Sequence, residues 1–248
     1  MSVFALVSAK GAPGVTTLAC VLGAVWPVER EVVVAECDPA GGDLAARFGL
    51  SADTGMTSLV AELRQRRDRE SHSLRPHTQT LPGGLEVLCG PIGSDAGTVL
   101  DSAVGVVGLE GVPGDVLVDC GRLGSHFTGQ QRIVRTAKRL ILLLRPEASS
   151  LAHGRWVVER LATHHPSGLA GVALAVAGSG AFSPPDIART LGVELLGVVP
   201  RDRAAAAMLR GEPGARRALA RSALVVAAKK LALALCTASQ AAEWRDAS

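Results

Sequence analysis

The stretch Ser8-Ala9-Lys10-Gly11-Ala12-Pro13-Gly14-Val15-Thr16-Thr17 follows an apolar run and leads into a segment rich in Leu and Ala. A strand that passes through a glycine-rich turn into a helix aims backbone N–H groups and the positive end of the helix at one point, a geometry suited to phosphate. The common pattern for this chemistry is G-x-x-x-x-G-K-[ST], in which the lysine reaches the outer phosphates and the hydroxyl binds magnesium. Here Gly14 and Thr16 stand in register, but Ala9 replaces the first glycine, Val15 replaces the lysine, and Pro13 removes one backbone donor. Carboxylates fit for the same chemistry close two other apolar runs: Glu36 and Asp38 in VVVAECDPAGGD, and Asp119 in GDVLVDCGRLG. Magnesium prefers oxygen ligands and keeps several waters, so it asks for only one or two such acids. Each segment alone also has a plain structural reading, since a strand-terminal Asp often caps the next helix and Asp-Pro often opens a turn.

Taken together, these segments resemble the MinD/ParA group of P-loop ATPases, whose deviant loop carries an additional lysine near its start, as in KGGxGKTT. Lys10 to Thr17 aligns with that loop without a gap, and Glu36, Asp38, Pro39 and Gly41 resemble the family's D-x-D-P-x-G segment. The resemblance implies ATP or ADP with Mg2+ as ligands, cradled by Lys10, Gly11, Ala12, Pro13, Gly14, Val15, Thr16 and Thr17. It gives Lys10 a catalytic reach to the phosphates of a partner subunit across a nucleotide-dependent homodimer. It gives Asp38 the orientation of the attacking water, and Thr16, Glu36 and Asp119 the support of the metal. Val15 and Glu36 are departures, the first making the Walker A motif degenerate. Arg122, close behind Asp119, adds positive charge, and a solvent-facing arginine is its simpler reading. Further on, GVELLGVVPRDRA resembles the family's late strand and P-x-D loop, which implies that Pro200 and Asp202 lie beside the adenine. VALAVAGSG, by contrast, lacks the Asn-Arg or Thr-Arg pair of the family's base-reading strand. The resemblance runs from residue 3 to about 235.

The elements that must position these groups alternate. Short β-branched or Leu-rich runs predict strands near 3–8, 31–36, 85–89, 115–119, 139–144, 170–176 and 194–199. Between them, Ala/Leu-rich segments predict helices near 16–25, 56–67, 97–108, 149–163, 185–191, 203–210 and 214–236, several opened by Asp, Ser or Pro. The fold class is therefore α/β, a mostly parallel sheet flanked by helices on both faces, as in P-loop NTPases. No linker or charge block divides the chain, so residues 1–236 read as one nucleotide-binding domain and 237–248 as a polar tail. The polar segment 66–79 reads as a surface loop.

Composition excludes more than it assigns. The 26 basic residues barely exceed the 23 acidic ones, which is not the footprint of a dedicated nucleic-acid binder. Nonspecific DNA binding stays open through Arg66, Arg67, Arg69, Arg216 and Arg217, if they share a face. Only four of the basic residues are lysine (Lys10, Lys138, Lys229, Lys230) and Tyr is absent, a genome-wide bias that would exchange Lys for Arg but not for Val. The five cysteines show no CxxC or paired His and read as reduced and mostly buried, Cys37 and Cys120 included. His72, His77, His164 and His165 show no partner at metal or acid-base spacing. The start MSVFALVSAKG has no basic leader, and the 215–236 segment has no sharp apolar face. A cytoplasmic protein without direct membrane binding is expected. The expected function is an ATP-binding dimerisation switch with weak binding and slow hydrolysis, positioning a pilus or secretion apparatus or partitioning DNA through an unidentified protein cargo or activator. The alternative is a pseudo-ATPase scaffold that binds nucleotide very weakly or not at all.

Overall fold

Val3, Ala5 and Val7 alternate with Phe4 and Leu6 along the first strand, and all five are buried, so this strand must be covered on both faces. A computed structural model describes residues 2–11, 13–27, 29–65, 73–93, 95–106, 109, 114–123, 128–209 and 222–246. In chain order the elements are β1 (Val3–Ser8), α1 (Val15–Ala24), β2 (Val32–Glu36), α2 (Leu44–Phe48), α3 (Met56–Gln65), β3 (Gln79–Thr80), β4 (Glu86–Leu88), α4 (Ala96–Val106), β5 (Asp115–Arg122), α5 (Thr128–Thr136), β6 (Arg139–Leu144), α6 (Ala148–His164), β7 (Val172–Ala177), α7 (Pro184–Leu191), β8 (Glu194–Val199), α8 (Arg203–Leu209) and α9 (Ala223–Asp246).

The strands form one sheet in the order β3-β4-β2-β5-β1-β6-β7-β8. Every pairing is parallel except β3 with β4. The α/β fold class expected from the sequence is thus what the chain adopts. One apolar cluster joins Val3, Ala5 and Val7 to α3 and α6 through Leu59, Leu63, Val157 and Leu161. A second joins Phe4 and Leu6 to α1 and α9 through Leu18, Leu22, Leu224, Leu231 and Leu235. The chain moves from β1 towards β2 and β4, returns to insert β5, and then continues on the other side at β6. The carboxyl end of β1 therefore lies at the reversal, where open α/β sheets place their ligands.

Three elements differ from the sequence expectation. The five-residue α2 follows β2, the two-residue β3 adds an antiparallel edge, and α5 covers TGQQRIVRT. Only Ile133 and Val134 of α5 are apolar, and both are buried, so two side chains anchor a helix that its polar surface concealed. The last helix also lies further along than 214–236: it runs from Ala223 to Asp246, through most of the stretch expected as a tail. Leu224, Val225, Ala228, Leu231, Leu235 and Cys236 form its buried side, while Lys229, Lys230 and Leu233 are exposed. Among the described residues, no helix is long and apolar enough to cross a membrane.

At the opposite edge of the sheet from the carboxyl ends, Asp115 opens β5 as a buried carboxylate with four donors. Arg30 reaches it through Nε at 2.5 Å and a terminal nitrogen at 2.7 Å, the Trp26 indole N–H at 3.0 Å and the Ser2 amide at 2.9 Å. Burial alone would raise its pKa, but Arg30, Trp26 and Ser2 outweigh that and hold it below the usual value. Removing the carboxylate takes the acceptor from the buried Trp26 indole N–H and breaks the ion pair with Arg30. Asp115→Ala should therefore lose about 3 kcal/mol of stability in urea unfolding at neutral pH. That difference should shrink as the pH falls through the depressed pKa, because the wild type loses the same interaction on protonation.

Candidate functional site

The end of β1 turns upward through Lys10 and Gly11 into a helix that begins at Val15. Gly14 makes the turn at φ +103°, a left-handed conformation natural to glycine, and its carbonyl accepts the first helical bond from Leu18 N at 2.8 Å. No side chain caps α1 and no acidic residue occupies its first turn, so its leading N–H groups keep their positive field. Gly11 is likewise left-handed at φ +68°, Lys10 is exposed, and Pro13, Gly14, Thr16 and Thr17 are half-buried. Ala12 lies outside the described residues. Val15 does not sit at the rim: it is 5% exposed and belongs to the apolar cluster with Leu6 and Leu18.

Below the loop, the Thr16 hydroxyl faces the carboxylate of Asp119 and favours its ionised form, and the parallel register sets Asp119 beside β1 through the pair Leu6 and Asp119. Asp119 is 1% exposed and also accepts Gly121 N at 3.0 Å. Burial pushes its pKa up to about 6; the bonds from Thr16 and Gly121 oppose the rise, the nearby Asp38 carboxylate adds to it, and the Arg47 guanidinium of α2 counters it. Asp38 is half-buried, and its carboxylate accepts Ala40 N at 2.9 Å while its carbonyl accepts Gly41 N at 2.9 Å. Burial raises its pKa, the Ala40 amide opposes this, and Asp43 reinforces it. The Asp38 carboxylate rests directly against the α-carbon of Gly121, at φ +57°, where a β-carbon would have no room. Thus Thr16, Asp38 and Asp119 converge beneath the glycine turn.

Glu36 sits next to this group, paired in register with Asp119, but its carboxylate faces backbone donors. Oε1 accepts Asp43 N at 2.9 Å and Leu44 N at 3.0 Å, and Oε2 accepts Gly90 N at 3.1 Å. Burial nevertheless pushes its pKa up to about 7 against those three bonds. Gly42 and Gly90 permit the approach, since a β-carbon on either would strike Glu36 or the facing backbone. Glu36 therefore fastens the start of α2 and the loop after β4 to the end of β2. A metal at Glu36 must share an acid already engaged by three amides. Among the described residues, no three His, Cys, Asp or Glu side chains are arranged as a metal cage. Thr16 with Asp119 offers instead a hydroxyl and one carboxylate, the sparse oxygen set that magnesium accepts when phosphates and water complete its shell.

Pro200 and Asp202 follow β8, three strand spacings or about 14 Å from β1. Asp202 caps α8 by accepting Ala205 N at 3.0 Å and takes the Ser222 hydroxyl at 2.7 Å, which ties α8 to the start of α9. Between β1 and β8, the small residues after β7 close up tightly: Gly178 N donates to Val199 O at 2.8 Å, and the Arg201 side chain lies over Gly178.

Other expectations resolve as packing. The five cysteines are all buried and free, and burial pushes the thiols of Cys37 and Cys120 upward. His77 bridges Ser58 at 2.8 Å and Glu62 at 2.9 Å, and His165 bonds Ala137 O at 2.9 Å. His72 and the side chain of His164 lie outside the described residues, as do Arg66, Arg67, Arg69, Arg216 and Arg217. Sequence reasoning missed Gln130 of α5, 2% exposed, which donates to Cys120 O at 2.7 Å and Arg122 O at 3.0 Å and so holds the end of β5. It also missed Arg47, whose partner is Asp43. A Gln in an unexpected helix gives no signal, whereas Asp43 and Arg47 stand at the four-residue spacing of a helical pair.

Solved structures share this arrangement of strands and helices. A ParA family ATPase from Chlorobium tepidum TLS matches with a TM-score of 0.73 at 15% identity, over 94% of this chain and 98% of that one. The cell division ATPase MinD of Pyrococcus furiosus matches at 0.71 and 21% identity, over 95% and 98%. The septum site-determining protein MinD of Pyrococcus horikoshii, complexed with Mg-ADP, matches at 0.68 and 22% identity, over 93% and 94%. The chain has the MinD/ParA fold. No protein-family model matches the sequence, and no curated protein matches it significantly. In this chain, the loop after β1 and the ends of β2 and β5 lie at the same edge of the sheet, where Asp38, Thr16 and Asp119 come together.

The raised carboxyls set a pH dependence. Between the ordinary values of 3.8 for Asp119 and 4.5 for Glu36 and the folded values of about 6 and about 7, the folded chain keeps protons that the unfolded chain releases. Stability should therefore fall as the pH rises through that window. Asp119→Asn should flatten the part below about pH 6, as read from thermal melts across pH 4 to 8.

Proposed function

We propose that the chain binds magnesium-ATP weakly, hydrolyses it slowly, and acts as a nucleotide-dependent dimerisation switch of the MinD/ParA kind. The observation that carries this reading is the contact of Thr16 with buried Asp119 beneath an uncapped helix start, with Asp38 beside them. A purely structural strand end has no need to bury one carboxylate next to another. Thr16 and Asp119 would hold the magnesium ion, which would neutralise phosphate charge; Glu36 would serve chiefly as the anchor of the Asp38 segment. Asp38, raised in pKa and held by the Ala40 amide, would orient water for attack. Exposed Lys10 would reach the phosphates of a second copy, which makes the homodimer depend on nucleotide. Pro200 and Asp202 would border the base. Positioning a pilus or secretion apparatus, or partitioning DNA, through a protein partner in the cytoplasm is the role this switch would serve.

A second reading is favoured by Val15. Its burial in the core removes the loop lysine that meets the outer phosphates, and a charge-assisted hydrogen bond contributes about 1.5–3 kcal/mol. Lost contacts of this kind describe a pseudo-ATPase scaffold as the limiting case.

Titration calorimetry separates the two. Magnesium-ATP should bind with a Kd in the tens of micromolar or weaker, on the order of −6 kcal/mol. No heat at millimolar ATP would leave the scaffold. In sedimentation, ATP should raise the dimer fraction of the wild type, and Lys10→Ala should abolish that rise without changing the circular dichroism spectrum. A dimer indifferent to both nucleotide and Lys10 would sink the switch.

A further inference from the structure

With Val15 folded into the core, the phosphate loop lacks its usual cation, and three basic residues belong to the loop or to the elements that border it. Lys10 is on the loop itself and exposed. Arg47 is paired with Asp43 and lends its field to Asp119. Arg122 ends β5, is exposed, and has no hydrogen-bond or ion-pair partner for its side chain among the described residues.

The path of β5 decides where Arg122 faces. Val116, Val118 and Cys120 belong to the apolar cluster beneath α3 and α6, as alternation requires, and the intervening Leu117 belongs to the cluster beneath α1 and α9. Asp119 follows Leu117 on the α1 side, where Thr16 meets it. Strict alternation would then place Arg122 with Val116, Val118 and Cys120, away from the loop. The strand does not keep the phase. Leu6 of β1 pairs with Asp119, but Ser8, two residues on, pairs with Arg122, three residues on. Gly121 is left-handed within this irregularity, and Leu123 returns to the cluster of Cys120. The extra residue flips the side chains that follow, the usual effect of a bulge. Arg122, opposite to Leu123, therefore lies on the α1 face, in register with Ser8, the residue from which the loop departs.

Its backbone is fixed there from three directions. Leu123 N donates to Ser8 O at 2.9 Å, the Ser8 hydroxyl donates to Gly121 O at 3.3 Å, and buried Gln130 donates to Arg122 O at 3.0 Å. Ser8 is also the residue from which the loop departs, so the loop and Arg122 share one rigid mount. Arg47 is already engaged by the Asp43 carboxylate, whereas the planar fork of a guanidinium without a partner among the described residues matches two phosphate oxygens at once.

We propose that Arg122, re-aimed by the β5 bulge, supplies from the neighbouring strand the phosphate-binding cation that the loop lacks at Val15. The ligand chemistry is the terminal phosphates of a nucleoside di- or triphosphate, and the proposal rests on the nucleotide-binding reading above.

The test measures magnesium-ATP, ADP and AMP binding by calorimetry on the full chain as wild type, Arg122→Ala, Arg122→Lys and Arg122→Ala with Val15→Lys. Arg122→Ala should weaken ATP about ten- to a hundredfold and AMP much less, so that the preference for the longer phosphate chain collapses. Arg122→Lys should retain part of the affinity, and Val15→Lys should restore ATP binding in the Arg122→Ala background. Should Arg122→Ala fail to fold by circular dichroism, Arg122→Gln carries the same comparison with the side-chain stem kept. Wild type that binds ATP, with Arg122→Ala within about twofold of it, overturns this proposal and leaves the nucleotide reading intact. Wild type without measurable ATP binding overturns both.

Discussion

The buried Asp119 carboxylate, faced by the Thr16 hydroxyl, is the constraint around which the loop side of the sheet is arranged. It joins the first turn of α1 to the end of β5, and it brings a charge into a place where burial opposes ionisation. A carboxylate in that position needs donors, and the chain provides two: the Thr16 hydroxyl and the Gly121 amide two residues on. The second donor requires the strand to curl at Gly121, and the curl makes room for Asp38 against a residue without a β-carbon. A second acid beside the first then raises the cost of ionising either, which Arg47 offsets only in part. The unbalanced negative charge and the uncapped positive helix start lie side by side, a separation of charge that apolar packing does not explain.

Glu36 shows how the same edge is held in place when no ligand is considered. Three backbone amides from two different loops end on its carboxylate, and Gly42 and Gly90 are small enough to let them arrive. An aspartate, one methylene shorter, would not reach across this gap without drawing the loops inward. The longer acid therefore supports the segment that carries Asp38 from behind, while Asp119 holds its position from the side. The departure Glu36 thus has a mechanical content that the sequence pattern alone does not express.

Much of the scaffold was legible because strands buried on both faces are nearly continuous apolar runs. β1, β6 and β8 fall on the residues expected, and Asp119 was recognisable as an acid closing such a run. Elements carried by few apolar residues were not: α5 rests on Ile133 and Val134, α2 on Leu44 and Ala45, and β3 is two residues long. The parts of the site that escaped reading share a different cause. The donors of Glu36, the hold of Gln130 on β5 and the bulge at Gly121 are relations between segments distant in the chain. A bulge in particular is defined by register against another strand, so one strand read alone gives no sign of it.

Val15 and Arg122 can be understood as two sides of one exchange. A lysine at the first helical position must leave the core face and stretch over the loop to keep its ammonium solvated or paired, because burying an unpaired charge is costly. A valine there has no such requirement, and it adds apolar contact with Leu6 and Leu18 that persists with or without a ligand. The floor of the loop becomes part of the hydrophobic core, while Lys10 on the loop and Arg122 at the end of β5 stay exposed. An arginine at the end of β5 is mounted on the sheet through Ser8 and Gln130, not on the loop backbone, so its position does not depend on the loop adopting its ligand-bound shape. A phosphate group held this way is gripped between two elements, the start of α1 from one side and β5 from the other. Affinity then depends on the rigidity of the β1–β5 junction as much as on the loop itself, and the Leu123–Ser8 and Ser8–Gly121 bonds keep that junction closed.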